Sequence, residues 1–271
     1  MPPGTTGRWR IAPGTAVDLA AVDPGDTAGA PGEKDATTAT FGDLHDRLAA
    51  LQERLFAEGS LSVLVVLQAI DAGGKDGTVK HLFKGLNPSS CRVVSFRAPS
   101  DEERAHDFLW RVHRRTPARG EVVVFNRSHY EDVLVVRVQG LAPESVWRPR
   151  FELIRDFEHN LAVAGTTVVK LFLHISPEEQ AERFRARLAD PTKQWKFRRG
   201  DLDDRARWAD YQAAFAEAIA ETSTDEAPWY VVPADRKWFR NFAATTILID
   251  TLEALDPRYP PGEDLAGVVV T

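Results

Sequence analysis

The segment from Leu61 to Lys80 constrains this chain more than any other. Leu61-Ser-Val-Leu-Val-Val-Leu67 is a short β-branched run of the kind buried on both faces of a parallel sheet. It leads directly into Gln-Ala-Ile-Asp-Ala-Gly-Gly-Lys-Asp-Gly-Thr-Val-Lys80, which is glycine-rich at first and then opens a helix. A strand, a glycine turn and a helix in that order aim backbone N–H groups at an anion, and the helix N-terminus adds positive potential. The expected phosphate-binding residues are Ala72, Gly73, Gly74, Lys75, Asp76, Gly77 and Thr78. Lys75 follows Gly74 as the lysine of a phosphate loop (Walker A) follows its last glycine. The match to GxxxxGK[ST] is incomplete. Ala69 replaces the first glycine, and Asp76 stands where a magnesium-binding Ser or Thr is usual; Thr78 supplies the nearest hydroxyl. A carboxylate beside phosphates is repelled unless a metal bridges them, so Asp71 is a candidate for metal binding or acceptor handling. Its plainer reading is a cap on the turn.

Four further runs read as strands, at Arg92–Phe96, Glu121–Phe125, Thr167–Ile175 and Trp229–Val232. A helical stripe of Phe41, Leu44, Leu48, Leu51 and Leu55 precedes the first strand and stops at Gly59. Helices are expected over 78–85, 101–115, 147–164, 177–189, 201–222 and 235–255. Strands alternating with helices imply βαβ crossovers, hence a three-layer α/β domain on a five-stranded parallel sheet. Residues 1–38, rich in Pro, Gly, Thr and Ala, read as a flexible N-terminal arm, and 259–271 as a C-terminal tail. The domain proper spans 39–258, with a helical lid over about 188–208, where the chain leaves the core between two helices.

Charge narrows the ligand class. The 271 residues carry a net charge of −6, which disfavours a bulk nucleic-acid binder. Yet Arg183–Arg207 holds nine basic and four acidic side chains, a balance of +5. A basic segment on an acidic chain suits a polyanion bound at one place; a solvated face with pairs such as Asp203–Arg207 is the alternative. There is no 18-residue apolar run and no signal-peptide core, so neither membrane nor export is expected. The single cysteine, Cys91, fits a reducing cytoplasm. HExxH, CxxC and GxSxG are absent, which leaves zinc and serine-nucleophile chemistry unsupported. Trp195, Trp208, Trp229 and Trp238 read as core packing.

A second polar segment ends the third strand: Val122-Val-Val-Phe-Asn-Arg-Ser-His-Tyr-Glu-Asp132. Asn126 occupies the strand end, Arg127 can pair with phosphate oxygens, and Glu131 and Asp132 follow. His129 is given no role.

These segments resemble the family-2 polyphosphate kinases. Asp71–His81, Gly85-Leu-Asn-Pro88, Phe125–Asp132, Asp190-Pro-Thr-Lys-Gln-Trp-Lys-Phe197 and Ala227-Pro-Trp229 carry the likeness, in unbroken order over roughly 40–257. The resemblance implies a thymidylate-kinase-like phosphate-loop core with a helical lid. The implied reaction is phosphoryl transfer between inorganic polyphosphate and a nucleotide, dependent on Mg²⁺ with Mn²⁺ as a substitute. Asp71 then matches a catalytic or metal-associated aspartate, and Lys75 the loop lysine. Arg127 matches the arginine after the strand-end residue, and Arg183 and Arg187 match lid-base arginines. Lys193 and Lys196 lie on the lid, which Arg198 and Arg199 make more basic than the family pattern. Asn126 departs from the more usual aspartate, so the metal leans on Asp71, Glu131 or Asp132. The Asn-Arg-Ser-His-Tyr form resembles the branch that phosphorylates AMP, or both AMP and ADP. Adenine nucleotides are the expected partners, guanine nucleotides stay open, and a homodimer or homotetramer is expected. The rival readings are an ATP-dependent nucleotide or small-molecule kinase on the same core, and a non-catalytic polyphosphate- or nucleotide-binding regulator.

Overall fold

In the computed structural model, which describes residues 5–264 and 268–270, the five expected strands form the body of one sheet. They are β2 (Ser62–Gln68), β3 (Cys91–Ser95), β4 (Val122–Asn126), β5 (Thr166–His174) and β6 (Trp229–Pro233). All pair in parallel, in the order β6-β5-β2-β4-β3. Every residue of β2 is buried, because hydrogen-bonded neighbours flank it on both sides and helices cover its faces. One helix pair is Phe41–Glu58 with Lys237–Leu255; a second is Arg150–Val163 with Trp208–Thr222. Gly59 ends the first of these helices at φ 63°, in the left-handed conformation that glycine adopts without steric cost.

The sheet departs from the five-stranded expectation at one edge. A sixth strand, β1 (Arg10–Ile11), pairs antiparallel with β6, setting Arg10 opposite Tyr230 and Ile11 opposite Trp229. The sheet is therefore mixed. The arm that supplies β1 is packed rather than loose: Trp9 is 3% exposed and meets the edge of Phe239 at 5.8 Å. Leu19 and Thr37 are also buried. Two residues are too few for a periodic pattern, which is why this strand is silent in the sequence. Met1–Gly4 of the arm, and 265–267 and 271 of the tail, lie outside the described residues.

Two expected helices are divided. In place of a helix over 101–115 there are two single turns, Asp101–Arg104 and Trp110–His113. Between them the Asp107 carboxylate accepts from the Leu109 N–H, a local bond that competes with the helical ladder. Similarly, Gly200–Ala206 and Trp208–Thr222 are separated at Arg207.

Candidate active site

At the carboxyl end of β2 the chain makes the predicted loop and enters the helix Lys75–Leu82. Gly74 caps that helix at φ 103°, and Ala72 also sits at positive φ (61°). A Cβ on Gly73 would lie 2.4 Å from the Ala69 Cβ, so Ala69 can replace the loop's usual first glycine only because Gly73 is bare. Lys75 folds back over its own loop. Its Nζ donates to Ala69 O at 2.7 Å and to Ile70 O at 3.4 Å. Burial, reinforced by the Arg127 guanidinium, lowers its pKa to about 8.

β4 runs beside β2 and delivers the second polar segment to the same end of the sheet. Arg127 also takes positive φ (62°), a conformation that costs an L-residue on the order of 1 kcal/mol. Its guanidinium holds Asp71 Oδ1 at 2.7 Å and Glu131 Oε2 at 3.1 Å. Thus Asp71, Arg127 and Glu131, expected near one another, form one charged group. Asn126 donates to Asp76 Oδ1 at 3.0 Å, and Lys196 donates to Asp76 Oδ2 at 2.8 Å. The Lys196 bond, with help from Asn126, holds the Asp76 carboxyl below its ordinary pKa despite partial burial. An aspartate at 126 would face this carboxylate and repel it; the amide removes that conflict.

Other candidates lie elsewhere or do other work. Asp132 turns away from the loop. Arg150 reaches its Oδ1 at 3.4 Å and Arg111 its Oδ2 at 3.7 Å, while burial raises its pKa. It does not join the metal candidates. Arg183 is spent on scaffolding: it donates to Ala72 O (2.9 Å), Ala234 O (2.6 Å) and Asp235 O (3.2 Å), and pairs with Glu179 at 2.7 Å. That ties the loop to the end of β6. Arg187 lies 4.0 Å from Asp201. Lys193 pairs with Asp190 at 2.5 Å, and Arg198 and Arg199 are exposed. Thr78 is buried and bonds Gly74 O at 3.3 Å. Trp195, expected in the core, is 75% exposed beside Lys196, whose ammonium lies 5.1 Å from its ring centre.

A cavity of about 60 Å³ adjoins Asp71 and Arg127, with Leu134 and Phe215 among its apolar residues and Gln139 and Tyr211 among its polar ones. The glycine loop with Lys75, the Arg127 guanidinium with its two carboxylates, and Lys196 on Asp76 gather at this end of the sheet, a set suited to positioning and neutralising phosphoryl groups.

The sequence model for the family described as Polyphosphate kinase 2 matches residues 32–260, well over half of the chain. The chain belongs to the polyphosphate kinase 2 family. This kinase is 52% identical over 263 residues to a Meiothermus ruber protein named AMP/ADP-polyphosphate phosphotransferase, covering 97% of this chain and 98% of that one. It is 44% identical over 227 residues to the ADP-polyphosphate phosphotransferase of Rhodopseudomonas palustris, covering 79% and 78%. Its fold superposes on a crystal structure of polyphosphate kinase 2 from Arthrobacter aurescens TC1 with a TM-score of 0.92 at 44% identity, covering 96% and 92%. No helix of the kinase is long and apolar enough to cross a membrane among the described residues.

Several residues of the kinase site escape a sequence reading. Gln180 donates to Asp71 O at 2.9 Å across 109 residues of chain, and Asp201 is close enough to Asp71 to feel its charge. Burial first, and Asp71 second, raise the Asp201 pKa. Arg240 packs against the Gly74 side of the loop. Below the Arg127 turn, Lys170 and Glu158 are sealed in the core at 2.5 Å, with Tyr130 donating to Glu158 at 2.9 Å. Lys170 interrupts the apolar run Val168–Leu173, the one signal that could have marked this cluster.

The lowered pKa of Lys75 has a kinetic consequence. A lysine depressed in the free enzyme is neutral above its pKa and meets the polyanion without its charge. In the kinase, kcat/KM for polyphosphate should fall as pH rises through about 8. Bound phosphate raises the pKa, so kcat should hold to higher pH. A kcat/KM that stays flat to about one pH unit above that value removes Lys75 as the charge that meets the polymer.

Proposed function

We propose that this kinase uses both AMP and ADP as acceptors of phosphoryl groups from inorganic polyphosphate, with Mg²⁺ bound mainly through substrate. Phosphoryl transfer between polyphosphate and nucleotides is the activity of its family and of its named relatives. The observation that carries the dual-acceptor reading is the near full-length identity of 52% to a relative named for both AMP and ADP. Asn126 and Lys196 together hold Asp76, where an aspartate at 126 would set a second carboxylate against it.

The donor set suits Mg²⁺, which keeps several waters and takes one or two protein carboxylates plus phosphate oxygens. Asp71 Oδ2 accepts no hydrogen bond among the described residues, and Glu131 and Asp201 lie nearby. No group of three or more His, Cys, Asp and Glu able to hold a metal is found among the described residues, which agrees with a substrate-borne ion. Bound there, the ion would neutralise charge on the transferred group. Lys75, Arg127 and Lys196 would hold the phosphates in line, and the segment 188–208 would close over them.

Incubation with Mg²⁺, polyphosphate and either AMP or ADP, followed by chromatography of the nucleotides, tests the reading. ADP and ATP should form from AMP, and ATP from ADP, faster than ADP disproportionates. Conversion of AMP only as far as ADP would restrict the enzyme to the narrower branch. Turnover with ATP and a non-nucleotide acceptor, but none with polyphosphate, would overturn the reading.

The lid adds an expected result. Lys196 reaches the loop, whereas Lys193 is satisfied by Asp190 on an exposed turn. Lys196→Ala should raise KM for polyphosphate by about tenfold and steepen nothing for the nucleotide, while Lys193→Ala does less. Apparent constants at two salt concentrations check this; equal effects on both substrates would remove Lys196 from the donor site.

A further inference from the structure

Arg240 lies on the Lys237–Leu255 helix, 165 residues in sequence from the phosphate-loop lysine, yet its guanidinium rests on that loop. A Cβ on Gly74 would fall 2.1 Å from its Nη1, and one on Gly77 would fall 3.0 Å from its Nη2. Both positions are bare where the arginine needs room. The side chain is 4% exposed. A buried guanidinium is ordinarily matched by a carboxylate, because an unpaired buried charge is costly. Arg240 has none among the described residues. Its hydrogen bonds run only to the Asn241 amide oxygen, from Nη2 at 2.7 Å and Nε at 3.3 Å. Nη1 donates to nothing among the described residues and is not one of the sealed polar atoms of the interior. The charge that acts on it is another arginine: Arg183 Nη1 would stand 3.2 Å from the same Gly74 Cβ. Burial, with Arg183 adding to it, lowers the Arg240 pKa to about 10.

Two guanidinium groups therefore flank the cap of the Lys75–Leu82 helix, and only Arg183 has an acid, Glu179. A groove of about 480 Å³ opens beside them, lined by their partners Glu179 and Asn241 and by Lys34, Lys237 and Asp235. Of its two carboxylates, Glu179 is held by Arg183, and Asp235 accepts the Ser176 N–H at 2.8 Å. A fold that tolerates an uncompensated cation at the edge of a phosphate loop leaves a place for an anion.

We propose that Arg240 binds a phosphate group of the polyphosphate substrate on the Gly74 side of the loop. The inference rests on the reading of the Lys75 loop as the polyphosphate site. Arg240 is then a cation whose missing partner is the substrate itself. Its removal should cost the free protein nothing and the donor complex a great deal, the reverse of a structural brace.

The test uses the full chain and inorganic tripolyphosphate. Arg240→Met should melt at the wild-type temperature or above, because an unpaired charge and its repulsion with Arg183 are gone. Its dissociation constant for tripolyphosphate and its KM for polyphosphate should rise by about tenfold, while KM for the nucleotide stays within about twofold. Unchanged tripolyphosphate binding overturns the proposal, as does a lower melting temperature with unchanged donor constants. If Arg240→Met does not fold, Arg240→Lys decides: it keeps the charge but loses the fork, so weaker tripolyphosphate binding in a folded variant supports the proposal and wild-type binding overturns it. Absence of tripolyphosphate binding in the wild-type chain, or its survival in Lys75→Ala, would instead count against the loop reading, which separates the two failures.

Discussion

Lys75→Ala is expected to lower turnover with polyphosphate by about 10³-fold or more, the range measured when a preorganised cation or donor is removed from a charged transition state. The fold should survive. Among the described residues the Lys75 ammonium bonds only two carbonyls of its own loop, and burial lowers its pKa to about 8. Its loss therefore removes little that stabilises the resting state and much that stabilises bound phosphate. Far-ultraviolet circular dichroism and a melting curve alongside the rate assay separate the two effects. A variant with near-normal turnover would end the assignment of Lys75 to the transferred phosphoryl group. So would loss of turnover that merely follows unfolding.

The second large effect concerns stability. Lys170→Met should destabilise the protein by about 3–5 kcal/mol, the usual cost of stranding one member of a buried ion pair. That is a large fraction of a typical domain stability of about 5–15 kcal/mol. Lys170 and Glu158 are 0% and 1% exposed. Besides Glu158, Lys170 donates to Thr222 O at 2.6 Å, and Tyr130 donates to Glu158 at 2.9 Å. Burial, the largest single influence, would push the Glu158 carboxyl up; the Lys170 ammonium and His129 together outweigh it and hold the carboxyl below its ordinary value. The sign follows: a depressed carboxyl contributes stability at neutral pH and loses it as pH falls through the folded-state value. Urea unfolding at neutral pH gives the cost. The double variant Lys170→Met with Glu158→Gln should recover part of it, since no charge is then stranded. A single-variant loss within about 1 kcal/mol would mean that the pair is relaxed or hydrated in solution. His129 and Tyr130 belong to this cluster and lie two and three residues after Arg127, so the same variant should loosen the strained turn that presents Arg127 to Asp71.

The buried pair also shows why parts of the site are illegible in a sequence. Lys170 meets Glu158 across one helix-to-strand connection, 12 residues, but meets Thr222 only after 52. Arg127 finds Asp71 across 56 residues, and Lys196 finds Asp76 across 120. Nothing local to those residues states the pairing. Asp132 makes the same point in reverse. Adjacent to Glu131, it reads as an equal metal candidate, yet the short helical turn His129–Asp132 sends its carboxylate towards Arg111 and Arg150. Trp195 reads as core packing, the default for a tryptophan, but its segment packs through Phe197, whose ring lies 5.7 Å from Phe184, and leaves the indole outside.

What the sequence determined by itself is what period and local chemistry specify. β-branched runs in the 60s, 120s and 160s can be buried on both faces only as interior strands of a parallel sheet, and they are. Gly73 and Gly74, a few residues past the first of them, signal a turn into a helix, and that turn places Lys75. Tertiary structure decided the rest, because it depends on which strand ends lie side by side. It joined the arm to the sheet through two residues, committed Arg183 to the scaffold, and left Arg240 without an acid at the loop. A charge's role is set by what it is buried against, and that neighbour is chosen only when distant segments pack.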